Sequence, residues 1–210
     1  MKKKAVAVVM TAVMALGMVS AVSVQAGIED KTLIVGFDAE YPPYGYMDEN
    51  GEYTGFDLEL AQAVCDLEGW ELEKKPINWD SKDMELNSGS IDCIWNGFTM
   101  NGREDDYTFS EPYVDNSQVI VVADDSGIEK LTDLAGKTVG VQAASAALDL
   151  LQSEEEGGQK ELADTFGALN EFADYNTAFT ELQAGALDAL AIDVGVATVS
   201  YTHLTLPTIL

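Results

Sequence analysis

The sequence contains few of the side chains that most often build metal sites and catalytic centres. Its 210 residues include one arginine, one histidine and two cysteines. The histidine, His203, lies in a C-terminal tail whose composition differs from the rest of the chain. Outside that tail the sequence therefore excludes a Ser-His-Asp triad, a Cys-His pair and a histidine-rich metal site, and only carboxylate chemistry remains for catalysis. We expect no catalytic residue, no metal and no cofactor.

Basic residues are scarce as well. The chain carries 37 acidic and 11 basic residues, which gives a net charge of −26. A protein this acidic repels nucleic acid and anionic lipid, so we expect neither as a partner. A solvated acidic surface is the simpler explanation of the charge, and a partner surface that attracts acidic groups is the alternative.

The sequence has one long hydrophobic run, at its N-terminus. Three lysines precede an apolar stretch from Ala5 to Val24, and the short sequence Val-Gln-Ala ends at Ala26. This order is typical of a secretory signal peptide, so residues 1–26 are predicted to be removed. We therefore expect export across the cytoplasmic membrane, to the periplasm or the cell surface, and a retained membrane anchor is the alternative.

Export would bring the two cysteines into an oxidising compartment, where a disulfide is possible. Cys65 falls on a predicted helix and Cys93 on a predicted strand. These positions do not settle whether the two sulfur atoms are within bonding reach. A disulfide and a pair of buried thiols therefore both remain open.

After the signal, short apolar strands alternate with helical segments. Phe56, Leu60, Val64 and Leu67 recur at helical spacing until Gly69, which predicts a helix that ends at this glycine. Such alternation favours an α/β fold with parallel strands. The predicted strands are residues 32–37, 71–77, 91–98, 117–123, 137–141 and 186–193, and the further predicted helices are 145–152 and 176–184.

The predicted elements form two α/β units. We assign residues 27–118 to a first lobe and residues 119–200 to a second, incomplete lobe. No Pro- or Ser-rich linker separates them, so extended backbone near residues 113–119 would join the lobes and could act as a hinge. Residues 201–210, "YTHLTLPTIL", lack the acidic, Ala-rich composition of the preceding chain. We interpret them as an atypical tail, for which a cloning or read-through scar is one explanation.

The single arginine is the first candidate for a binding residue. Arg103 follows Gly97 and Thr99, which lie at the carboxyl end of a predicted strand. Ligands of open α/β sheets bind at this end of the strands. A guanidinium offers a rigid fork of donors that matches a carboxylate, and it would attract an anion that the acidic chain otherwise repels. The alternative is a surface ion pair with Glu104 or Asp105.

Five segments occur in order along the chain: "VGFDAEYPPYGYMDENGEYTGFDLELAQAV", "SGSIDCIWNGFTMNGR", "FSEPYVDNSQVIVV", "LAGKTVGVQAASAA" and "LQAGALDALAID". Together they resemble the extracytoplasmic amino-acid-binding proteins of ABC importers, family 3 of the solute-binding proteins, from about Leu33 to Asp193. The resemblance implies a two-lobed periplasmic-binding-protein-like fold of type II with a hinge. It also implies a monomer that binds an amino acid and presents it to a membrane permease.

The resemblance also implies the ligand contacts around the α-carbon. In the family, a glycine and a threonine matching Gly97 and Thr99 contact the amino and carboxylate groups, and an arginine matching Arg103 binds the carboxylate. Ser145 matches a helix N-terminus that faces the carboxylate, although a plain N-cap is an equal alternative. Asp193 matches the aspartate that pairs with the α-ammonium, and capping of the next helix is its alternative.

Side-chain recognition is expected in the first loop. Asp38 and Tyr41 match an acid and an aromatic residue of the family pocket, and Trp79 matches an aromatic position that faces Tyr41. Glu40 beside Asp38 would suit a polar or basic ligand. The spacing from Gly97 to the arginine is one residue shorter than usual in the family. Ala144 stands where the family usually has glycine, and an alanine restricts the backbone conformations that this turn can adopt.

The chain lacks the C-terminal elements that usually complete the family pattern, so we expect a truncated protein with exposed apolar surface and marginal stability. Two other functions are compatible with the same scaffold, because fold does not fix function. One is an enzyme, such as a dehydratase or a domain associated with a transglycosylase. The other is the ligand-sensing domain of a receptor.

Overall fold

A computed structural model describes residues 31–199 with their side chains and residues 204–209 as backbone. Its first sheet has the order β5-β1-β6, and both pairs of strands are parallel. The buried side chains of the central strand, among them Val35 and Phe37, pack under the first helix. This confirms the parallel sheet predicted for the first half. The strands of this part are β1 (Thr32–Phe37), β2 (Glu40–Tyr41), β3 (Gly45–Met47), β4 (Tyr53–Thr54), β5 (Glu71–Pro76) and β6 (Cys93–Ile94).

The first helix, α1 (Phe56–Glu68), begins and ends as the sequence predicts, but a different face is buried. Gly69 ends it in the left-handed conformation with φ 68°, which glycine adopts without steric cost. The buried face contains Leu58, Ala61 and Cys65, whereas Leu67 is 85% exposed. The apolar repeat that marks the helix thus lies beside the core, whereas Leu58 and the smaller residues Ala61 and Cys65 pack against the sheet.

The second sheet has the order β11-β7-β10-β8-β9. Strands β8, β9 and β10 are parallel, whereas β7 runs antiparallel to both of its neighbours. This sheet is therefore mixed. Its strands are β7 (Gln118–Ala123), β8 (Thr138–Gln142), β9 (Ala168–Phe172), β10 (Ala189–Asp193) and β11 (Leu204–Ile209), and the remaining helices are α2 (Lys82–Asn87), α3 (Ala146–Gln152), α4 (Lys160–Ala163), α5 (Tyr175–Gln183) and α6 (Val194–Val199).

Two predictions about strands are wrong. The strand predicted over residues 91–98 shortens to β6, because the chain turns at Gly97 with a positive φ of 55°. Strand β9 was not predicted, since Asn170 and Glu171 interrupt its apolar residues and three of its five residues are exposed. The predicted signal peptide lies outside the described residues. Backbone of the atypical tail forms β11 beside β7, and the artefact interpretation stays a prediction.

The first lobe contains the sheet β5-β1-β6 and a small antiparallel sheet of order β2-β3-β4, and the second lobe contains the five-stranded sheet. The two lobes are in contact. Tyr41 and Tyr44 from the first lobe belong to an apolar cluster that otherwise consists of second-lobe residues. The ring of Tyr41 lies 6.0 Å from that of Tyr175 on α5. The structure is therefore a closed one. Strand β7 begins at Gln118, and the lobe boundary placed after residue 118 stays a prediction.

Both cysteines are free thiols in the structure. Cys65 is buried and Cys93 is half-buried, and both pack in the apolar cluster of the first lobe. Burial raises the pKa of Cys93 to about 11, which makes its thiolate scarce at neutral pH. Of the two states that the sequence left open, the structure has the buried thiols.

The surface of the first lobe carries an apolar groove beside α1. Half-buried Leu60 and Val64 form one wall, and Ile94, Trp95 and Phe109 are among the residues of the other. Such a groove is exposed apolar surface of the kind that the sequence led us to expect. The marginal stability expected with it stays a prediction. Within the described residues, no helix is both long enough and apolar enough to cross a membrane.

Candidate functional site

A cleft between the two lobes encloses about 240 Å³ of empty space, counting its open mouth. The first lobe contributes residues from the end of β2, from the short 3-10 helix Trp79–Ser81 before α2 and from the turn after β6. The second lobe contributes residues from the ends of β8 and β10 and from the start of α3. The lining residues are Tyr41, Trp79, Asn96, Gly97, Phe98, Thr99, Arg103, Gln142, Ser145, Ala146 and Asp193.

The structure brings seven of the eight predicted site residues into this cleft. They come from both lobes and are separated by up to 152 positions in the chain. Parallel strands end at the same edge of a sheet, which explains why residues at the ends of different strands meet there. The eighth residue, Asp38, does not line the cleft. It lies next to it, in contact with Gln142.

Arg103 is held in place from three sides. Its guanidinium lies 5.0 Å from the centre of the Phe98 ring, and Nη1 donates to the carbonyl of Thr99 at 3.1 Å. Nη2 donates across the cleft to the carbonyl of Ala144 at 3.3 Å and to Asp149 Oδ2 at 2.6 Å. The side chain is only 10% exposed. The sequence-based alternative, a pair with a neighbouring acid, is replaced by a pair with the other lobe.

The turn after β6 depends on glycine. Gly97 has a φ of 55°, and a Cβ there would lie 3.3 Å from the Tyr44 ring. A side chain at this position would therefore be both strained and crowded. The turn presents Thr99 to the cleft and places Arg103 four residues later. Gly102 also has a positive φ, 78°, so the flexible glycine contributes to the arginine's position despite the short spacing.

Asp193 ends β10 and is buried. Its Oδ1 accepts hydrogen bonds from Asn116 Nδ2 at 2.5 Å and Gln118 Nε2 at 2.7 Å, and the Tyr175 hydroxyl donates to Oδ2 at 3.4 Å. All of these donors are neutral. Burial raises the pKa of the carboxyl, and hydrogen bonds led by that from Gln118 partly oppose the increase.

The two amide side chains that donate to Asp193 also carry oxygen atoms without a hydrogen-bond donor among the described residues. Asn116 Oδ1 and Gln118 Oε1 are buried and accept no hydrogen bond within the described part of the chain. Their amide nitrogens both bond to Asp193. The polar cluster around this aspartate is thus rich in acceptors, and a bound group with several N–H donors would satisfy them.

Asp38 orients a lining residue. Its Oδ2 accepts from Gln142 Nε2 at 2.6 Å, and its Oδ1 accepts from the backbone N–H of Glu40 at 2.9 Å. Burial raises the pKa of this carboxyl, and the two hydrogen bonds partly offset the effect. On the outer side, Glu40 accepts a hydrogen bond from Asn176 of the second lobe.

The start of α3 combines a helix cap with an unusual backbone. Ser145 is the N-cap, and its hydroxyl accepts from the Leu148 N–H at 3.2 Å, which confirms the capping interpretation. A ligand contact by Ser145 stays a prediction. Ala144 has a φ of 53°. Its carbonyl accepts from both Arg103 and Lys82, the latter at 3.3 Å.

Aromatic side chains form the first-lobe wall. Trp79 is buried, meets Phe98 edge to face at a ring distance of 5.2 Å, and carries the Lys82 ammonium 5.2 Å above its own ring. Tyr41 stacks on Tyr44 with ring centres 5.5 Å apart. Both predicted aromatic residues, Tyr41 and Trp79, therefore line the cleft.

Sequence reasoning missed several residues of the site. Asn96, Phe98, Gln142 and Ala146 also line the cleft, and each is adjacent or close to a predicted residue. Their place at strand ends and at a helix start was a usable signal. Asp149, which contacts the arginine, carried no signal, because its side chain reaches Arg103 from the other lobe.

Comparison with known proteins identifies relatives of one kind. The family model of the bacterial extracellular solute-binding proteins, family 3, matches residues 33–193. The chain is 32% identical over 193 residues to the L-cystine-binding protein TcyJ of Escherichia coli K12, a match that covers 86% of this chain and 69% of the relative.

Solved structures give the same result. A substrate-binding protein of an ABC uptake transporter from Streptococcus pneumoniae, with bound histidine, superposes with a TM-score of 0.75 at 35% identity. The match covers 80% of this chain and 68% of that one. The ancestral amino-acid-binding protein AncCDT-1, described as a precursor of cyclohexadienyl dehydratase, has a TM-score of 0.75 at 31% identity and covers 85% and 77% of the two chains.

Proposed function

Because the chain belongs to family 3 of the bacterial extracellular solute-binding proteins, we propose that it binds a polar α-amino acid outside the cytoplasm and delivers it to an ABC importer. One observation carries the proposal. Arg103 and Asp193, two side chains of opposite charge, line the same cleft between the lobes. A free amino acid is a zwitterion, so its two charged groups match these side chains.

The carboxylate of the ligand is assigned to Arg103. A guanidinium binds a carboxylate through parallel hydrogen bonds, and such charge-assisted bonds are stronger than neutral ones. Thr99 and Ser145 line the cleft from opposite lobes and offer hydroxyl groups to the same end of the ligand. Contacts from both lobes give the closed form its higher affinity.

The ammonium of the ligand is assigned to Asp193. This carboxylate is buried among neutral donors, and a cation beside it would offset the cost of its burial. Gly97 lies in the same cleft, and its backbone is the second proposed contact. The acceptor-rich surroundings of Asp193 support this end of the assignment.

The side chain of the ligand is assigned to the aromatic wall. Tyr41 and Trp79 can stack on a planar or cationic group and exclude water from it. Asp38 acts there through Gln142, which it orients by a hydrogen bond of 2.6 Å. The residues of this wall suit a polar side chain and do not single out one amino acid.

The proposal includes the location and the partner. Residues 1–26 direct export, the protein acts as a monomer, and the closed form is what a membrane permease recognises. Relatives of the chain include the L-cystine-binding TcyJ and a histidine-bound transporter protein. These ligands of the relatives are the reason for including cystine and histidine in the test.

We also propose that the cleft binds without catalysis. Among the described residues, the ionisable side chains that line the cleft are those of Arg103, Asp193 and Tyr41. Each of them has a binding or packing role in the proposal. The chain is similar to a precursor of a dehydratase, so the enzyme hypothesis is tested as well. Conversion of a bound amino acid, followed by chromatography, would support that hypothesis over transport.

A thermal-shift screen tests the proposed function. The purified protein is melted with each of the twenty common amino acids, ornithine and cystine, and Arg103→Ala is measured in parallel. We expect a few polar amino acids to raise the melting temperature of the wild type and to have no effect on the variant. A cooperative melt that no amino acid shifts would contradict the proposal and favour the enzyme or sensor reading.

A further inference from the structure

The two lobes are joined across the cleft by a small set of hydrogen bonds. On one side, Gln142 bonds to Asp38 and Asn176 bonds to Glu40. On the other side, Lys82 and Arg103 bond to the carbonyl of Ala144. In each of these contacts at least one partner is an uncharged group.

One further contact differs because both partners are charged. Arg103 Nη2 lies 2.6 Å from Asp149 Oδ2. The other ion pairs among the described residues each join groups of the same lobe; they are Lys75–Glu85, Lys130–Asp133, Lys137–Asp188 and Lys160–Asp164. Among the ion pairs of the described residues, Arg103–Asp149 is therefore the one that depends on lobe closure.

Asp149 approaches the arginine from outside the cleft. Asp149 does not line the cleft. Its side chain is 58% exposed, whereas that of Arg103 is 10% exposed. Asp149 thus occupies the rim and leaves the cleft side of Arg103 to a ligand. The carboxylate of a ligand and that of Asp149 can then contact different parts of one guanidinium, which has five donors.

Both partners belong to well-anchored segments. Asp149 lies on α3, which is capped by Ser145 and buries Ala147, Leu148 and Leu151 in the second-lobe core. Arg103 is fixed by Phe98 and by the Thr99 carbonyl. Because neither group needs to become ordered to form the pair, little conformational entropy is lost when the lobes close.

We propose that Asp149 is a closure latch and a positioning residue for Arg103. Its ion pair forms when the lobes close, stabilises the closed form, and holds the guanidinium in the direction of the ligand's carboxylate. The effect on ligand affinity rests on the proposed function, whereas the effect on closure does not. Opening of the lobes breaks the pair, so the latch acts mainly on the rate of ligand release.

The test compares Asp149→Asn with Asp164→Asn. Both substitutions remove the charge of an exposed second-lobe carboxylate that takes part in an ion pair, but the Asp164 pair lies within one lobe. Small-angle X-ray scattering of the ligand-free proteins measures closure without any ligand. We expect a larger radius of gyration for Asp149→Asn and wild-type scattering for Asp164→Asn. Equal scattering of all three proteins would overturn the latch.

The second readout uses L-histidine as the probe and tryptophan fluorescence in stopped flow, since Trp79 lines the cleft. We expect Asp149→Asn to raise the dissociation rate constant about threefold to fivefold, a size typical of a partly exposed ion pair. The difference should shrink in 0.5 M NaCl because salt screens exposed charges. Binding of histidine with unchanged release by Asp149→Asn would overturn the proposal.

The two readouts separate the latch from the proposed function. If histidine fails to bind but Asp149→Asn opens the protein, the latch stands and the ligand assignment fails. If histidine binds the wild type and Asp149→Asn neither opens the protein nor speeds release, the latch fails and the function stands.

Discussion

Arg103 and Asp193 carry the opposite charges of one cleft, but the protein holds them differently. Arg103 has a countercharge, Asp149, at 2.6 Å. Asp193 is buried among neutral donors, Asn116, Gln118 and Tyr175, and none of the ion pairs within residues 31–199 includes it. The cleft is thus charge-balanced at its arginine and unbalanced at its aspartate. The difference indicates that a cationic group is what the site lacks most.

The largest expected effect distinguishes these two charges directly. Asp193→Asn and Arg103→Ala should each weaken amino-acid binding by about 100-fold or more, since each leaves one charge of the ligand without its partner in a buried site. Their effects on the ligand-free protein should differ in sign. Asp193→Asn should raise the melting temperature because it removes an uncompensated buried charge, whereas Arg103→Ala should lower it.

Isothermal titration calorimetry and thermal denaturation measure the two effects. The comparison between the charges would fail if both variants destabilised the ligand-free protein equally. Arg103→Lys provides an intermediate case. It keeps the charge but loses the planar fork, so it should recover only part of the affinity lost in Arg103→Ala.

A third buried charge, Asp57 at the start of α1, extends the comparison. Its Oδ1 accepts a hydrogen bond from Tyr113 at 2.8 Å, and its Oδ2 accepts none within the described residues. Burial raises its pKa to about 6. An acid whose pKa is higher in the folded state than in the unfolded state stabilises the fold when protonated, and this stability is lost as the pH rises through about 6.

We therefore expect the free energy of unfolding to be higher at pH 5 than at pH 7.5, with Asp57 contributing about 1 kcal/mol of the difference. Urea denaturation at the two pH values measures it. Asp57→Asn keeps an acceptor for Tyr113 and should reduce the pH dependence. An unchanged dependence in that variant would assign the effect to other acids.

The pH dependence of binding tests the unbalanced aspartate. Burial raises the pKa of Asp193 in the ligand-free protein, and a bound ammonium would lower it again. Affinity should therefore fall as the pH is lowered toward the range where Asp193 takes up a proton, while Arg103 keeps its charge. Titration calorimetry at a series of decreasing pH values measures the effect.

Asp38→Asn serves as the control, since Asp38 is the other acid of the site with a raised pKa. The same pH profile in this variant would assign the titration to Asp193. Affinity that increases on acidification would contradict the proposed ammonium contact.

The smallest expected effect concerns the backbone that faces Arg103. Ala144 has a left-handed φ of 53°, which costs a residue with a Cβ about 1 kcal/mol. Ala144→Gly should remove this strain, and the loss of chain entropy on folding should cancel part of the gain. We expect an increase in the free energy of unfolding of about 0.5 kcal/mol, measured by urea denaturation.

Ala186→Gly is a suitable control for Ala144→Gly. It makes the same substitution at a residue whose φ is not positive, so it relieves no strain. It should be neutral or destabilising. Stabilisation by both substitutions would show that relief of backbone strain is not the cause.

Much of the fold follows from local sequence patterns. Strand β1 and helix α1 match their predicted bounds, and β5, β7, β8 and β10 lie within one to three residues of theirs. These elements have apolar runs or clear end signals such as Gly69. Strand β9, whose apolar residues are interrupted by Asn170 and Glu171, and the short strands β2 to β4 lack such signals. Pairing with neighbouring strands decides that these segments are extended.

The buried face of α1 shows the same limit. Large apolar residues marked the helix, but the sheet packs against Leu58, Ala61 and Cys65. The sequence does not reveal which neighbouring elements an amphipathic helix will meet, so it does not determine which of its faces is buried.

The sequence by itself determined the types of the main elements and the residues at the strand ends that form the cleft, because periodicity and turn signals are local. Only the tertiary structure decided that Asp38 contacts Gln142, that neutral amides surround Asp193, and that Asp149 reaches Arg103 across the cleft. These contacts join residues from 46 to 104 positions apart. Their geometry depends on how two sheets pack and how two lobes close, and no local pattern encodes it.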